Sequence, residues 1–194
     1  MDASVEPESP GVRWDHIWSE RDLAVDPARF VVENAGLLPD HGSALDVAGG
    51  TGRHAVWLAA HGFAVTLVDA SGVALSRANT LAADRRVSIA TVQRDLEADG
   101  LPPGRWGLVL MHHFLDRGVF ASTADVLEPG GILIFCQPTV RNLERHDRPG
   151  RRFLLEEGEL ADLVAAMPLD VLLAEEGWGF EGRHEARLVA KKRS

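Results

Sequence analysis

The chain has 194 residues, which is enough for one α/β domain with a sizeable core and too few for two ordinary domains. Its formal net charge of -9 argues against a nucleic-acid-binding surface and against adhesion to anionic lipid, because phosphate groups are bound by clustered Lys and Arg. The single cysteine, Cys136, excludes an internal disulfide framework and is typical of a reducing compartment. No signal-peptide pattern is present, and no apolar run approaches the roughly 20 residues that span a bilayer. We therefore expect a cytoplasmic protein without nucleic-acid or membrane partners.

The amino-terminal segment predicts a tail followed by a helix. Residues 1–11 are acidic and rich in Pro and Ser, which predicts a flexible tail ahead of a single domain over residues 12–194. Trp14, Ile17 and Trp18 have the i, i+3, i+4 spacing of a short amphipathic helix. The two tryptophans are either core anchors or a lid over a bound ligand.

Beyond this segment the sequence alternates between helical and strand patterns. A second helix is expected where Asp26 can cap it and Pro27 fits its first position. Strands are expected at 44–48, 63–69, 87–92, 106–111, 132–136, 169–174 and 185–190, with the last two paired to each other. Helices are expected at 53–60, from 71 to about 85, near 118–127 and at 160–167. This order predicts a three-layer α/β fold with a Rossmann-like doubly wound sheet, parallel in its first five strands and antiparallel near the carboxyl terminus.

A glycine turn between a strand and a helix is the most informative feature, within ALDVAGGTGRHAVWLAAHGFAVTLVDAS (44–71). Glycines let a ligand approach the backbone, and the free N–H groups of a helix amino terminus favour a carboxylate or phosphate. Asp69 closes the following strand, where its carboxylate can accept hydrogen bonds from the two hydroxyls of a ribose. The stretch therefore predicts an adenosine-containing ligand.

The identity of that ligand depends on residues around the turn. Gly50, Gly52 and Ala55 satisfy G-x-G-x-x-A, a pattern that dinucleotide sites share. Asp46 favours S-adenosylmethionine, because a carboxylate there can hold an ammonium group and a pyrophosphate offers it no partner. About 45 residues precede the motif, whereas dinucleotide domains often begin with the strand itself. Asp95, in QRDLE (93–97), is placed to accept a hydrogen bond from an adenine amino group.

The successive segments LDVAGGTGRHA, VDAS, QRDLE, GLVLMHH and LEPGGILIF resemble the motifs of class I S-adenosylmethionine-dependent methyltransferases, over roughly residues 12–190. Within that superfamily, RWDHIWSE, GTGRHAVWLA and RRFLLEEGEL resemble the small tellurite-resistance and thiopurine-type methyltransferases. The resemblance implies methyl transfer from S-adenosylmethionine, with S-adenosylhomocysteine as the product. The lack of a long insertion and the negative charge favour a small-molecule acceptor.

The resemblance also implies which residues contact the cofactor. The methionine end would be held by Asp46 and by the backbone of Ala48, Gly49, Gly50 and Gly52. The ribose and adenine would be contacted by Asp69, Ala70, Asp95 and Leu96, and the methionyl part also by the backbone at His112. The sequence departs from the family at Ala48, where the first glycine usually stands, and at Thr51 and His54. These departures leave the main ligand contacts in place and weaken any transfer of substrate identity.

Several side chains have two interpretations. His113 and His112 follow the fourth strand and are the candidate catalytic residues. The alternative is that they only form the polar end of a buried strand. No metal site is expected, because no further ligand stands at a typical spacing from the two histidines. The arginine-rich stretch 141–152 is either a solvated loop or a means of steering an anionic acceptor.

Two other functions remain open from the sequence alone. A noncatalytic S-adenosylmethionine-binding module would share the same binding residues. A nicotinamide-dependent oxidoreductase would also bind an adenosine-containing cofactor, but the chain contains no Tyr for a Tyr/Lys catalytic pair.

Overall fold

The structure is a computed structural model that describes residues 9–20, 24–179 and 181–194. Within these residues the strands are β1 Gly42–Val47, β2 Phe63–Asp69, β3 Ala90–Gln93, β4 Trp106–His112, β5 Leu127–Pro138, β6 Leu169–Trp178 and β7 His184–Lys192. The α-helices are α1 Pro10–Glu20, α2 Arg29–Glu33, α3 Arg53–Ala60, α4 Gly72–Asp84, α5 Leu96–Asp99, α6 Arg117–Val126 and α7 Glu159–Ala165. Short 3-10 turns cover Ala35–Leu37, Val140–Glu144 and Arg151–Phe153.

The strands form one seven-stranded sheet in the order β3-β2-β1-β4-β5-β7-β6. The pairs among β1 to β5 are parallel, and β7 is antiparallel to both β5 and β6. The predicted fold class, a Rossmann-like doubly wound sheet with an antiparallel strand near the carboxyl terminus, is confirmed. The order reverses between β1 and β4, and ligands of such sheets bind beyond the carboxyl ends of the strands at that place.

Helices cover both faces of the sheet and bury its two sets of alternating side chains. One core cluster joins Leu45, Val109 and Phe135 to α6 and α7. The other joins Leu108 and Ile134 to α2, α3 and α4. Burial on both faces explains why the central strands read as nearly continuous apolar runs. Among the described residues, no helix is long and apolar enough to cross a membrane.

Most differences from the predicted elements are at their ends. Pro10 begins α1, so the end of the predicted tail is helical; residues 1–8 lie outside the described residues. The second helix starts at Arg29 rather than at Pro27, with Ala28 before it. The N–H of Ala28 donates to Nε2 of His54 at 3.2 Å, so a tertiary contact fixes this start. The third strand begins at Ala90, three residues later than predicted.

Candidate active site

A cavity of about 340 Å³ lies beyond the carboxyl ends of β1, β2 and β4. This volume is within the range of small-molecule sites. Its walls are the turn after β1, the end of β2, the start of α5, the residues after β4 and the inner side of α1. The predicted contact residues that line it are Asp46, Ala48, Gly49, Gly50, Asp69, Ala70, Asp95, Leu96, His112 and His113. The structure therefore brings together ten of the predicted site residues from four separate parts of the chain.

The turn after β1 requires its glycines because other groups approach their Cα atoms closely. A Cβ on Gly49 would lie 2.6 Å from a carboxylate oxygen of Asp46. Gly50 has φ +57°, and a Cβ there would lie 2.9 Å from the Trp18 ring of α1. The turn is thus enclosed between a buried acid below and an aromatic side chain above, with its backbone facing the cavity.

Gly52, unlike Gly49 and Gly50, does not line the cavity. It precedes α3 with φ +81°, and a Cβ there would lie 2.8 Å from Cβ of Ala78 in α4. Its role in the structure is therefore the close packing of α3 against α4. Ala48 also has a left-handed backbone, with φ 51°.

Asp46 is the least satisfied polar group in the cavity wall. Its side chain is 1% exposed, and neither carboxylate oxygen has a hydrogen-bond partner among the described residues. Burial raises the pKa of this carboxyl to about 7, although the charge of Arg53 opposes the shift. A buried charge without a partner is strongly unfavourable. The site therefore fits a ligand that brings a cationic hydrogen-bond donor, such as the ammonium group of an amino acid.

Asp69 is held rigidly at the end of β2. Its Oδ2 accepts from the N–H of Gly50 at 2.9 Å, and its Oδ1 accepts from the N–H of Ser71 at 2.9 Å. Burial raises the pKa of Asp69, and these backbone hydrogen bonds oppose that effect. Each carboxylate oxygen can accept a further hydrogen bond. The residue thus both ties the glycine turn to β2 and retains the capacity to bind ribose hydroxyls.

Asp95 combines a structural and a cavity-lining position. Its Oδ1 accepts from the N–H groups of Glu97 at 3.1 Å and Ala98 at 3.3 Å, which caps the amino terminus of α5. It lines the cavity together with Leu96, whose side chain is buried. The cap fixes the orientation of the carboxylate that would meet the adenine.

The helix α1 covers the cavity from outside the sheet. Trp14 and Trp18 both line the cavity, and their ring centroids are 6.4 Å apart. Asp15, between them, accepts hydrogen bonds from Oγ of Ser71 at 2.5 Å and from N–H of Val73 at 3.0 Å. These hydrogen bonds lower the pKa of Asp15. No residue of α1 is fully buried, so the two tryptophans lie over the cavity rather than in the core.

Three histidine rings lie next to one another in the cavity wall. The ring centroids of His112 and His113 are 3.9 Å apart, and those of His54 and His112 are 4.8 Å apart. Burial lowers the pKa of His112 and of His54 well below the usual value, with smaller contributions from neighbouring cations, so both are neutral. His113 contacts Glu185, with 2.7 Å between Nε2 and Oε1.

Residues 44–131 match a family described as a methyltransferase domain. The chain is similar to TehB from Haemophilus influenzae, at 17% identity and a TM-score of 0.74, over 92% of this chain and 67% of that one. The chain has the class I methyltransferase fold. It is also similar to an S-adenosylmethionine-dependent methyltransferase from Clostridium acetobutylicum ATCC 824, at 15% identity and a TM-score of 0.69, over 94% and 99% of the two chains. No curated protein sequence matches the chain.

A third similar structure was determined with a ligand. It is magnesium protoporphyrin IX methyltransferase from Synechocystis PCC 6803 with bound S-adenosylhomocysteine, at 15% identity and a TM-score of 0.67. The match covers 93% of each chain. At these identities the three structures show that the methyltransferase fold is shared over nearly the whole chain.

The arginine-rich stretch 141–152 lies away from the cavity of this methyltransferase fold. Arg141 pairs with Glu144 at 2.9 Å, Arg151 pairs with Glu156 at 2.7 Å, and the Arg145 guanidinium lies 3.7 Å from the Trp178 ring centroid. The arginines that do line the cavity are Arg53, Arg94 and Arg183.

Glu185 is a residue of the site that no sequence pattern predicted. It is 72 residues from His113 in the chain, and it reaches His113 only because of the position of β7 in the sheet.

Proposed function

We propose that this protein transfers a methyl group from S-adenosylmethionine to a small-molecule acceptor. The observation that carries the proposal is the pair of unpartnered Asp46 oxygens beneath the glycine turn, at the wall of a cavity that also contains Asp69. A ligand that joins an ammonium group to a nucleoside satisfies both acids at once. A dinucleotide would leave the buried Asp46 without a partner.

The protein's own residues bind and orient the cofactor in this account. Asp46 accepts hydrogen bonds from the ammonium group, and the turn at Gly49 and Gly50, which has no side chains, lets the methionine end approach the backbone. Asp69 accepts from the ribose hydroxyls, while Asp95 meets the adenine. A charge-assisted hydrogen bond of this kind contributes about 1.5–3 kcal/mol. When bound, S-adenosylmethionine supplies an electrophilic methyl group on a sulfonium.

The remaining task of the chain is to align the acceptor and exclude water. The candidate catalytic residues, His113 and His112, line the same cavity, and we expect the acceptor to meet the methyl group beside them. Trp14 and Trp18 cover the opening, which keeps water from the reacting groups. Alignment of two reactants can lower the activation free energy by roughly 7–11 kcal/mol.

The size of the site supports a small acceptor. A second cavity of about 50 Å³ shares His112 with the main one and is lined by Glu175, Glu185 and Arg187 among others. An anionic acceptor would meet Arg53 and Arg183, which line the cavity, and not the arginines of 141–152.

We also propose a cytoplasmic location for the protein. Its single cysteine is free, which is in keeping with a reducing compartment.

Binding and turnover test this proposal separately. Calorimetry should show that the folded protein binds S-adenosylmethionine and S-adenosylhomocysteine and does not bind NAD. Methyl-labelled cofactor should then transfer its label to one class of acceptor in a panel of thiols, selenium and tellurium oxyanions, phenols and amines. Binding without transfer across acceptor classes would favour the noncatalytic module, and preference for NAD would favour the oxidoreductase. No binding of the methionine compounds would refute the proposal.

A further inference from the structure

We infer that His112, His113 and Cys136 form a site for a thiophilic divalent cation of the zinc class, with Glu185 beside it. One ligand atom of each of the first three residues lies within 4.8 Å of the others. The site goes beyond the proposed methyl transfer, because its existence depends on these side chains and not on the cofactor. Two imidazoles and a thiolate are the ligand types that zinc and its relatives prefer, whereas magnesium prefers oxygen.

The sheet register places the first two ligands side by side. His112 on β4 is the direct partner of Cys136 on β5, so their side chains project from the same face of the sheet. Cys136 is in turn the partner of Arg187 on β7, two residues after Glu185. The three strands therefore bring an imidazole, a thiol and a carboxylate to one face at their functional edge.

An unusual backbone conformation adds the second imidazole. Successive side chains of an extended strand point to opposite faces, which would separate His113 from His112. His113 instead has a left-handed backbone with φ 58°, and its N–H donates to the carbonyl of Cys136 at 2.8 Å. The two rings consequently lie 3.9 Å apart. A non-glycine residue in this region is strained, and such strain is concentrated at functional sites.

Glu185 supplies the outer contact that metal-binding histidines usually have. Its Oε1 is 2.7 Å from Nε2 of His113, and its Oε2 accepts from Nε of Arg187 at 3.1 Å. Carboxylates bonded to a histidine fix the ring and increase its basicity as a ligand. The side chain of Glu185 is 8% exposed, so its charge is little screened and can offset that of a cation.

The donor atoms already lie close to the positions that a metal would need. Cys136 is a free, buried cysteine, and it would lose its thiol proton on binding a metal. Donor atoms around one zinc ion lie roughly 3.5 Å apart, so an inward shift of about 1 Å closes the cluster. Arg53 lies near Nδ1 of His112 at 3.5 Å, the outer limit of a hydrogen bond, and this weak contact would be given up. His112 and His113 line the main cavity, which leaves a fourth coordination position open to it.

Cobalt(II) titration of the untagged, full-length protein tests the site without any substrate. A thiolate ligand gives cobalt(II) a near-ultraviolet charge-transfer band, and we expect this band to saturate at one equivalent and to be displaced by zinc(II). Cys136→Ser should abolish the band, and His113→Gln should weaken binding at least tenfold. His41→Gln, an exposed histidine before β1, should bind as the wild type does.

Each outcome decides the proposal. Circular dichroism confirms that each variant is folded, so this test is independent of methyl transfer. The inference is overturned if the folded wild-type protein gives no charge-transfer band and no heat with zinc(II). It is also overturned if the band survives in Cys136→Ser. In either case His113 and Glu185 would form a metal-free imidazole–carboxylate pair.

Discussion

Replacing Asp46 by Asn should make the ligand-free protein more stable at alkaline pH and less able to bind the cofactor. A pKa that rises from 3.8 to about 7 on folding means that ionised Asp46 is destabilising in the ligand-free fold. The penalty is absent below the unfolded pKa, grows as pH rises through this window and levels off above about 7. It amounts to about 2 kcal/mol at pH 5 and about 4 kcal/mol at pH 8, at 1.36 kcal/mol for each pKa unit.

The amide of Asn is a neutral buried polar group without a partner, as is the protonated carboxyl against which this penalty is measured, so that cost largely cancels. We therefore expect the free energy of unfolding of Asp46→Asn to exceed that of the wild type by about 4 kcal/mol at pH 8 and by about 2 kcal/mol at pH 5. Urea denaturation at the two pH values measures this difference. The shifted pKa of Asp69 affects both proteins in the same direction, so it largely cancels in the comparison.

Cofactor binding should change in the opposite sense. Loss of one charge-assisted hydrogen bond of about 1.5–3 kcal/mol predicts about 10- to 150-fold weaker S-adenosylhomocysteine binding by calorimetry. Asp125→Asn, the same change at an exposed position of α6, should alter neither quantity. The reasoning is refuted if Asp46→Asn binds the ligand as tightly as the wild type does, or if its stability relative to the wild type is the same at both pH values.

Three further substitutions test other parts of the site. Asp69→Asn should weaken S-adenosylhomocysteine binding at least tenfold by calorimetry, since the ribose loses a charged acceptor; unchanged affinity would contradict the ribose role. Ala48→Gly should raise the urea-unfolding free energy by about 1 kcal/mol, because φ is 51°, and a loss of stability would show that this backbone is not strained. Asp15→Ala should remove the hydrogen bonds to Ser71 and Val73 and speed tryptic cleavage in α1, whereas wild-type cleavage rates would show that α1 is held by other contacts.

The parts of the fold that follow from the sequence depend on neighbouring residues. Alternating strand and helix patterns predicted the parallel sheet, and the turn of Gly49 and Gly50 with Asp69 located its functional edge. These signals are local, because a glycine turn and the acid of the next strand belong to one β-α-β unit. The cavity lining contains most of the residues that this unit predicted.

The parts that could not be predicted depend on contacts between distant segments. Glu185 meets His113 only because β7 inserts between β5 and β6, which no local pattern encodes. The left-handed backbone of His113 has no glycine or asparagine to indicate it. The charge composition of 141–152 left a solvated loop and a ligand contact both open. In the structure Arg141 and Arg151 pair with glutamates, and Arg145 lies over the Trp178 ring.

The position of S-adenosylhomocysteine in a crystal of the complex would show whether Asp46 binds the amino group of the ligand. We expect the amino group within about 3.2 Å of a carboxylate oxygen of Asp46, with the ribose hydroxyls at Asp69 and the adenine beside Asp95. A ligand bound elsewhere, or bound in this cavity with its amino group turned away from Asp46, would contradict it.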